Sequence, residues 1–268
     1  MIAPFVDADW LAVRYDDVVV CDVRWYLDGR SGRAAYDDGH LPGAIWVDLE
    51  TDLSADAPVT EGRHPLPRPE AFAAAMSALG IGEADTVVAY DDDGGAVAAR
   101  LVWMLRATGH EATLLDGGIQ AWSDPLSAES VTRAPATFAP RPWPEELLVD
   151  IDAAPVAGDV LIDARSAERY AGAPDDYDPR FGHIPGARSL PTRGHLGPDG
   201  RLQDVEALRA RFAGVGIEPG VEVVSYCGGG VTACHNLLVM EHAGLGTGRL
   251  FPGSWSQWSR DPTRPISI

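Results

Sequence analysis

The sequence predicts two α/β domains in tandem, each a mainly parallel sheet flanked by helices. Three observations predict it: an internal repeat at a period of about 140 residues, short apolar runs alternating with helical stretches in each half, and a proline-rich stretch between the halves. In the repeat, Asp22-Val23-Arg24 returns as Asp163-Ala164-Arg165, and His40-Leu41-Pro42-Gly43-Ala44 returns as His183-Ile184-Pro185-Gly186-Ala187. Tyr90-Asp91 returns as Tyr226-Cys227, and Asp116-Gly117-Gly118-Ile119-Gln120-Ala121-Trp122 is answered by Phe251-Pro252-Gly253-Ser254-Trp255-Ser256-Gln257-Trp258. Four matches in one order mark a duplication, and the period is too long for a solenoid.

In the first half, Val18 to Cys21 and Thr86 to Ala89 are β-branched apolar runs that read as strands, while Pro69 to Leu79 and Val97 to Thr108 read as helices. In the second half, Val160 to Ile162 and Val221 to Tyr226 read as strands and Val205 to Phe212 and Thr232 to Ala243 as helices. The last helix carries Leu237, Leu238 and Met240 and is stopped by Gly244. Asp124 to Pro144 holds Pro125, Pro135, Pro140, Pro142 and Pro144 with little apolar periodicity, so it reads as an extended linker that Trp143 docks on a domain surface. Domains are therefore expected at 1–123 and 145–268, with a linker at 124–144.

The chemistry concentrates at Cys227, which lies between the strand ending at Tyr226 and the helix starting at Thr232. Gly228, Gly229 and Gly230 let the backbone turn sharply, so the amides of Gly228, Gly229, Gly230, Val231 and Thr232 are free to converge on one atom. The positive end of the following helix adds to them, and together they stabilise a negatively charged sulfur. The loop is expected to point Cys227 outward. The competing view is that Cys227 is a buried strand-end cysteine above a tight turn.

In the aligned first half, Asp91 stands opposite Cys227, and a carboxylate cannot accept a sulfur atom, so only the second domain is expected to carry the nucleophile. His40 and His183 open the same turn in both halves, which points to turn architecture rather than catalysis. Arg24 and Arg165 are duplicated in the same way and read as structural. Cys234, two helical turns beyond Cys227, reads as a helix core position with a resolving thiol as the alternative, and Cys21 reads as strand core. Trp255 either lines the site or packs in the core. Cys227, Cys234 and His235 lack metal-ligand spacing, so no metal is expected.

The net charge of −19 argues against nucleic acid and anionic membrane surfaces as partners. Every one of the 21 basic residues is arginine, which excludes lysine Schiff-base chemistry and a Walker-type phosphate loop. No stretch reaches membrane-spanning length, the first residues lack a signal-peptide pattern, and three cysteines make no disulfide framework, so a reducing cytoplasm is the expected location.

These motifs, in this order and over essentially the full length, make the chain resemble the tandem-domain rhodaneses, the thiosulfate and 3-mercaptopyruvate sulfurtransferases. Tyr36-x-x-x-His40-Leu41-Pro42-Gly43-Ala44 is similar to the family's N-terminal signature and Phe251 to Trp258 to its C-terminal one, with Gln257 where glutamate is usual. The resemblance implies an inactive first domain with Asp91 at the cysteine position. It also implies a two-step reaction in which Cys227 takes a sulfur from a small anionic donor as a persulfide and passes it to an acceptor such as a thiol, cyanide or a thioredoxin-like protein, with no cofactor. Phosphatases of the same fold resemble a longer Cys-x5-Arg loop, whereas the residue six after Cys227 is Ala233. The neutral loop Cys227-Gly228-Gly229-Gly230-Val231-Thr232 is similar to the 3-mercaptopyruvate type, although Gly229 stands where that type has a serine implicated in proton transfer; thiosulfate enzymes carry basic side chains after the cysteine. Arg169 matches the family's substrate arginine, and Arg180 is the candidate for a second. An alternative from another class is a catalytically inert rhodanese-type binding or sulfur-carrier docking module.

Overall fold

The structure, a computed structural model, describes all residues, 1–268. The chain divides into two compact units, and neither is a single run of sequence. Met1–Ala55, Pro67–Trp143 and Gly197–Leu202 form the first, and Asp56–Leu66, Pro144–Leu196 and Gln203–Ile268 the second.

The first unit holds a five-stranded sheet of β1 (Phe5–Val6), β2 (Val18–Asp22), β3 (Ile45–Trp46), β4 (Thr86–Tyr90) and β5 (Ala112–Leu115), in the order β1-β5-β4-β2-β3 with every pairing parallel. Its helices are α1 (Ala8–Arg14), α2 (Gly32–Asp38), α3 (Pro69–Ala78) and α4 (Ala99–Ala107). Asp7 and Ser31 cap α1 and α2 through their side chains, and Pro69 opens α3, where its missing N–H costs nothing. Helix α4 is buried from Ala99 to Arg106. It starts two residues later than the apolar pattern predicts, because the amides of Val97 and Ala98 donate to the Asp91 carboxylate at 2.7 and 2.9 Å. The proline-rich stretch to Trp143 is extended and packed: the Trp143 indole donates to the Pro67 carbonyl at 2.7 Å and its ring lies 5.4 Å from Phe72.

The second unit holds β6 (Val160–Asp163), β7 (Arg188–Ser189), β8 (Val223–Tyr226) and β9 (Arg249–Leu250) in the order β7-β6-β8-β9, again all parallel. This order reproduces β3-β2-β4-β5 of the first unit, so the repeat seen in sequence is a repeat of topology. The helices are α5 (Ala167–Tyr170), α6 (Val205–Ala213), α7 (Thr232–His242) and α8 (Ser254–Trp258). Its core gathers Leu161, Ile184, Val224, Tyr226, Phe251, Trp255 and Trp258. Trp255 is therefore core, its indole donating to the Arg180 carbonyl at 3.1 Å.

The duplicated motifs do the same work in each unit. Asp22 pairs in register with Tyr90, and Asp163 with Tyr226, on adjacent central strands. Arg24 forks onto the Asp22 carboxylate and reaches the Gly39 carbonyl at 2.7 Å, as Arg165 does with Asp163 and Gly182 at 2.7 Å. His40 and His183 stack on Tyr36 and Tyr170 with ring centroids 3.9 and 3.7 Å apart, and each Nδ1 meets the same tyrosine's carbonyl at 2.9 Å. The Tyr90 and Tyr226 hydroxyls accept from Leu41 and Ile184 amides. These contacts tie the histidine turn to the central strand, one residue before Asp91 or Cys227.

Candidate active site

Strand β8 ends at Tyr226, and its neighbour on either side fixes the direction in which the chain leaves the sheet. Cys227 follows, then three glycines, then α7, whose residues Ala233 to Met240 are all buried. Gly230 has φ +78°, and a Cβ there would stand 2.3 Å from the Pro252 carbonyl oxygen, so only glycine fits. Its amide donates to Cys227 Sγ at 3.2 Å, and on its other side its carbonyl accepts from the Cys234 thiol at 3.4 Å. Cys234 thus braces the residue whose amide touches the Cys227 sulfur.

The loop is fastened to α8. Ser254 Oγ accepts from the Cys227 amide at 3.1 Å and donates to the Phe251 carbonyl at 2.9 Å. The amides of Trp255 and Ser256 donate to the carbonyls of Cys227 and Gly228 at 3.0 and 2.8 Å. Cys227 is 2% exposed, so it does not point outward as the sequence suggested. The physical reason is that side chains from Asp56–Leu66 lie over the glycines: a Cβ on Gly228 would meet Arg63 Nη2 at 2.6 Å, and one on Gly229 would meet His64 Nδ1 at 3.0 Å. The other cysteines are core: burial pushes the Cys21 thiol well above its ordinary range, and Cys234 is fully buried.

Beside the loop is a cluster of arginines on one buried acid. Asp178, with no side-chain exposure, accepts from Arg63 Nη1 at 2.7 Å and Arg260 Nη1 at 3.3 Å on one oxygen and from Arg169 Nη2 at 3.1 Å on the other. Asp175 accepts from Arg169 Nε at 2.7 Å. Burial pushes the Asp175 carboxyl up, but the Tyr177 amide and the Arg169 guanidinium outweigh it and hold the group below its ordinary value. Arg169 Nη1 lies 3.5 Å from the Cβ position of Gly228, so the structure brings Arg169 to the cysteine loop.

Arg180 is engaged elsewhere. Its guanidinium donates to the carbonyls of Ser259 at 2.7 Å, Trp258 at 2.9 Å, Arg264 at 2.9 Å and Asp261, and so holds the C-terminal segment. Val231 and Thr232 form the turn into α7, where the Thr232 carbonyl accepts from Thr192 Oγ1 at 3.3 Å. Arg63, His64, Arg260 and Ser254 were not singled out from sequence. The first two sit in a stretch without periodicity, and nothing in a one-dimensional pattern places Asp56–Leu66 against a loop more than half the chain away.

The first unit carries the same turn with a different occupant. The Asp91 carboxylate accepts the amides of Asp93 (2.8 Å), Gly95 (2.7 Å), Val97 and Ala98, and Asp91 is fully buried. Complete burial pushes this carboxyl above its ordinary range against those four donors. A turn of this shape is a receptor for negative charge, occupied in one unit by a side chain of the chain itself.

A rhodanese-like domain profile matches residues 7–125 and 144–261. The chain is 41% identical over 99% of its length, and 98% of the relative's, to a Pseudomonas aeruginosa protein described as a "Probable 3-mercaptopyruvate sulfurtransferase". It is 40% identical, over 94% of its length and 91% of the relative's, to a Mycobacterium tuberculosis protein described as a "Putative thiosulfate sulfurtransferase SseB". The solved 3-mercaptopyruvate sulfurtransferase from Leishmania major superposes with a TM-score of 0.87 at 34% identity, covering 98% of this chain and 76% of that one. With two matching domains, the repeated parallel sheets and a cysteine turn in the second unit alone, the chain belongs to the rhodanese family, in its tandem-domain form.

Proposed function

We propose that this chain is a sulfurtransferase that moves a sulfur atom from a small anionic donor, 3-mercaptopyruvate by preference over thiosulfate, through a persulfide on Cys227. The observation that carries this reading is the Cys227 sulfur held against the Gly230 amide beside a cluster of arginines. The Cys227 thiolate attacks the donor's sulfur, forming an S–S bond as the donor's C–S bond breaks. The electron pair leaves as the pyruvate enolate, which takes a proton and departs as pyruvate. Thiosulfate delivers its outer sulfur in the same way and releases sulfite. An acceptor thiol or cyanide, or a thioredoxin-like protein, then attacks the outer sulfur and restores Cys227.

Each group has a place in that sequence. The loop amides from Gly228 to Thr232 and the start of α7 stabilise the anionic sulfur before and after transfer. Arg169 orients the donor's anionic end, and Arg180 supports the chain around it by holding residues 258–264. His64, beside Gly229 where the 3-mercaptopyruvate type has a serine, is assigned the proton that the enolate takes. Of residues 1–123, those outside Asp56–Leu66 belong to the inactive unit, with Asp91 in the place of the nucleophile, while Asp56–Leu66 joins the catalytic unit. No helix is long and apolar enough to cross a membrane, and the reduced thiol the reaction needs fits a cytoplasmic setting.

The test is thiocyanate formation from cyanide with each donor, for the wild type and Cys227→Ser. Turnover that favours 3-mercaptopyruvate and vanishes in the variant supports the reading. Folded, reduced wild-type protein that turns over neither donor rejects it in favour of the docking module.

A further inference from the structure

We infer that Thr192, Ser225 and Asn236 are positioning residues for Cys227: from behind α7 they hold the two peptide units whose N–H groups are turned to the sulfur. This rests on the sulfur-transfer reading above and extends it to what keeps the cysteine turn in shape.

The first unit marks the amides concerned, because its turn holds a carboxylate. From Tyr90 to Gly118 and from Tyr226 to Ser254 the repeat runs without insertion, and Ala89 pairs with Leu114 as Ser225 does with Leu250. The Val97 and Ala98 amides that donate to Asp91 Oδ2 at 2.7 and 2.9 Å therefore correspond to those of Ala233 and Cys234. These lie in the first turn of α7, where Val231 supplies no side-chain cap, whereas Asp7, Ser31, Ser166 and Asp204 cap α1, α2, α5 and α6. The Cys234 amide also meets the Val231 carbonyl at 3.1 Å, a shared bond of the kind common at helix ends.

The same two peptide units are gripped at their carbonyl ends. Ser225 Oγ donates to the Ala233 carbonyl at 3.2 Å, and Thr192 Oγ1 to the Thr232 carbonyl at 3.3 Å. A trans peptide sets its N–H opposite its C=O, so a hold on these carbonyls aims the amides of Ala233 and Cys234 and polarises them toward the turn. Asn236 steadies the threonine: its Oδ1 lies 3.1 Å from Thr192 Oγ1, and its Nδ2 donates to the Leu190 carbonyl at 2.8 Å. The Ala164 carbonyl, 3.3 Å from the same hydroxyl, ties the group to the end of β6.

None of the three is written twice. The first unit has Ala89 in the place of Ser225 and Arg100 in the place of Asn236. It has Leu49, third after Trp46, in the place of Thr192, third after Ser189, and Trp46 and Ser189 are themselves matched by their pairing with Asp22 and Asp163. Arg100 donates to the Leu53 carbonyl at 3.3 Å instead. Thr192, Ser225 and Asn236 are all buried, and buried polar groups cost stability unless they are partnered. Architecture common to both units, such as His40 and His183, is duplicated; a polar grip present only behind the cysteine turn serves the cysteine.

The test is the rate of Cys227 alkylation by iodoacetamide at about pH 7, followed by mass, in wild type, Thr192→Val and Ser225→Ala, each shown to be folded by circular dichroism. Alkylation needs the thiolate, so misaimed amides slow it by about 2- to 10-fold, the weight of one lost hydrogen bond, and Thr192→Ser restores the rate. In steady state kcat with 3-mercaptopyruvate falls by a similar factor while the donor KM stays unchanged, because these side chains lie behind the helix. A merely structural role loosens the turn and lowers the melting temperature. Alkylation at the wild-type rate or faster in both folded variants therefore overturns the inference. Slower alkylation in the variants of a wild-type protein that transfers no sulfur upholds the inference and rejects the sulfur-transfer reading.

Discussion

The hydroxyl of Ser254 accepts the main-chain N–H of Cys227 across 3.1 Å, and Ser254 is the one non-glycine residue of the chain with positive φ, at +52°. In the first unit the matching position is Gly118, φ +58°, where a Cβ would strike the Asp91 carbonyl at 2.3 Å. The second unit therefore holds a strained serine where the first has glycine. Ser254→Ala keeps the strain and loses the acceptor, and is expected to lower both urea stability, by about 1–2 kcal/mol, and turnover. Ser254→Gly relieves the strain, so its stability returns toward wild type while turnover stays low. Equal activity in all three proteins removes the serine from the positioning of Cys227.

The two arginines singled out from sequence are expected to separate cleanly. Arg169→Gln raises the donor KM by about 10- to 100-fold, because its fork is beside the loop. Arg180→Gln leaves four carbonyls of residues 258–264 short of a donor and lowers the melting temperature with little change in donor KM. Thermal melts and Michaelis plots on the same preparations read both effects.

Acid is expected to destabilise the second unit through His195. This side chain is fully buried, stacked on Phe212 at 5.2 Å with His235 at 6.3 Å. Burial, then His235 and Arg211, hold its pKa well below the ordinary 6.5. The unfolded chain therefore binds the proton first: stability from this group is complete above about pH 6.5 and falls as the pH drops from there toward the folded value. Urea unfolding at about pH 7.5 and about pH 5 tests this, since His195→Phe should flatten the difference.

Asp91 accepts four amides, and an amide side chain supplies one acceptor and sets a donor against donors. Asp91→Asn is expected to cost about 1–3 kcal/mol in unfolding experiments, with sulfur transfer per folded molecule unchanged. A loss of kcat out of proportion to folding would instead make the first unit part of the chemistry.

Much of this molecule is legible in the sequence because duplication writes each constraint twice. Asp22 with Tyr90 and Asp163 with Tyr226 are neighbours in register, and the strands around them are short β-branched runs, so repeat and sheet could be read together. The glycines after Cys227 announce the turn. The walls of the site are less legible for three physical reasons. Arg63 and His64 come from an aperiodic stretch, and their meeting with Gly228 and Gly229 is a fact of three-dimensional packing. Arg260 and Arg169 join Arg63 on Asp178 and Tyr177, residues with no motif of their own. The positive φ of Ser254 is a backbone property that residue type does not reveal. The expected exposure of Cys227 failed for the same reason, since the side chains that cover it lie far off in sequence.

The occupied turn around Asp91 has a consequence for stoichiometry. A chain that builds this fold twice would be expected to offer two lodging places for a thiol reagent or an inhibitory oxyanion. One is permanently closed by its own carboxylate, and the thiols of Cys21 and Cys234 are sealed in the core. Titration of the native protein with an alkylating agent should therefore end at no more than one equivalent, at Cys227, which is itself only 2% exposed.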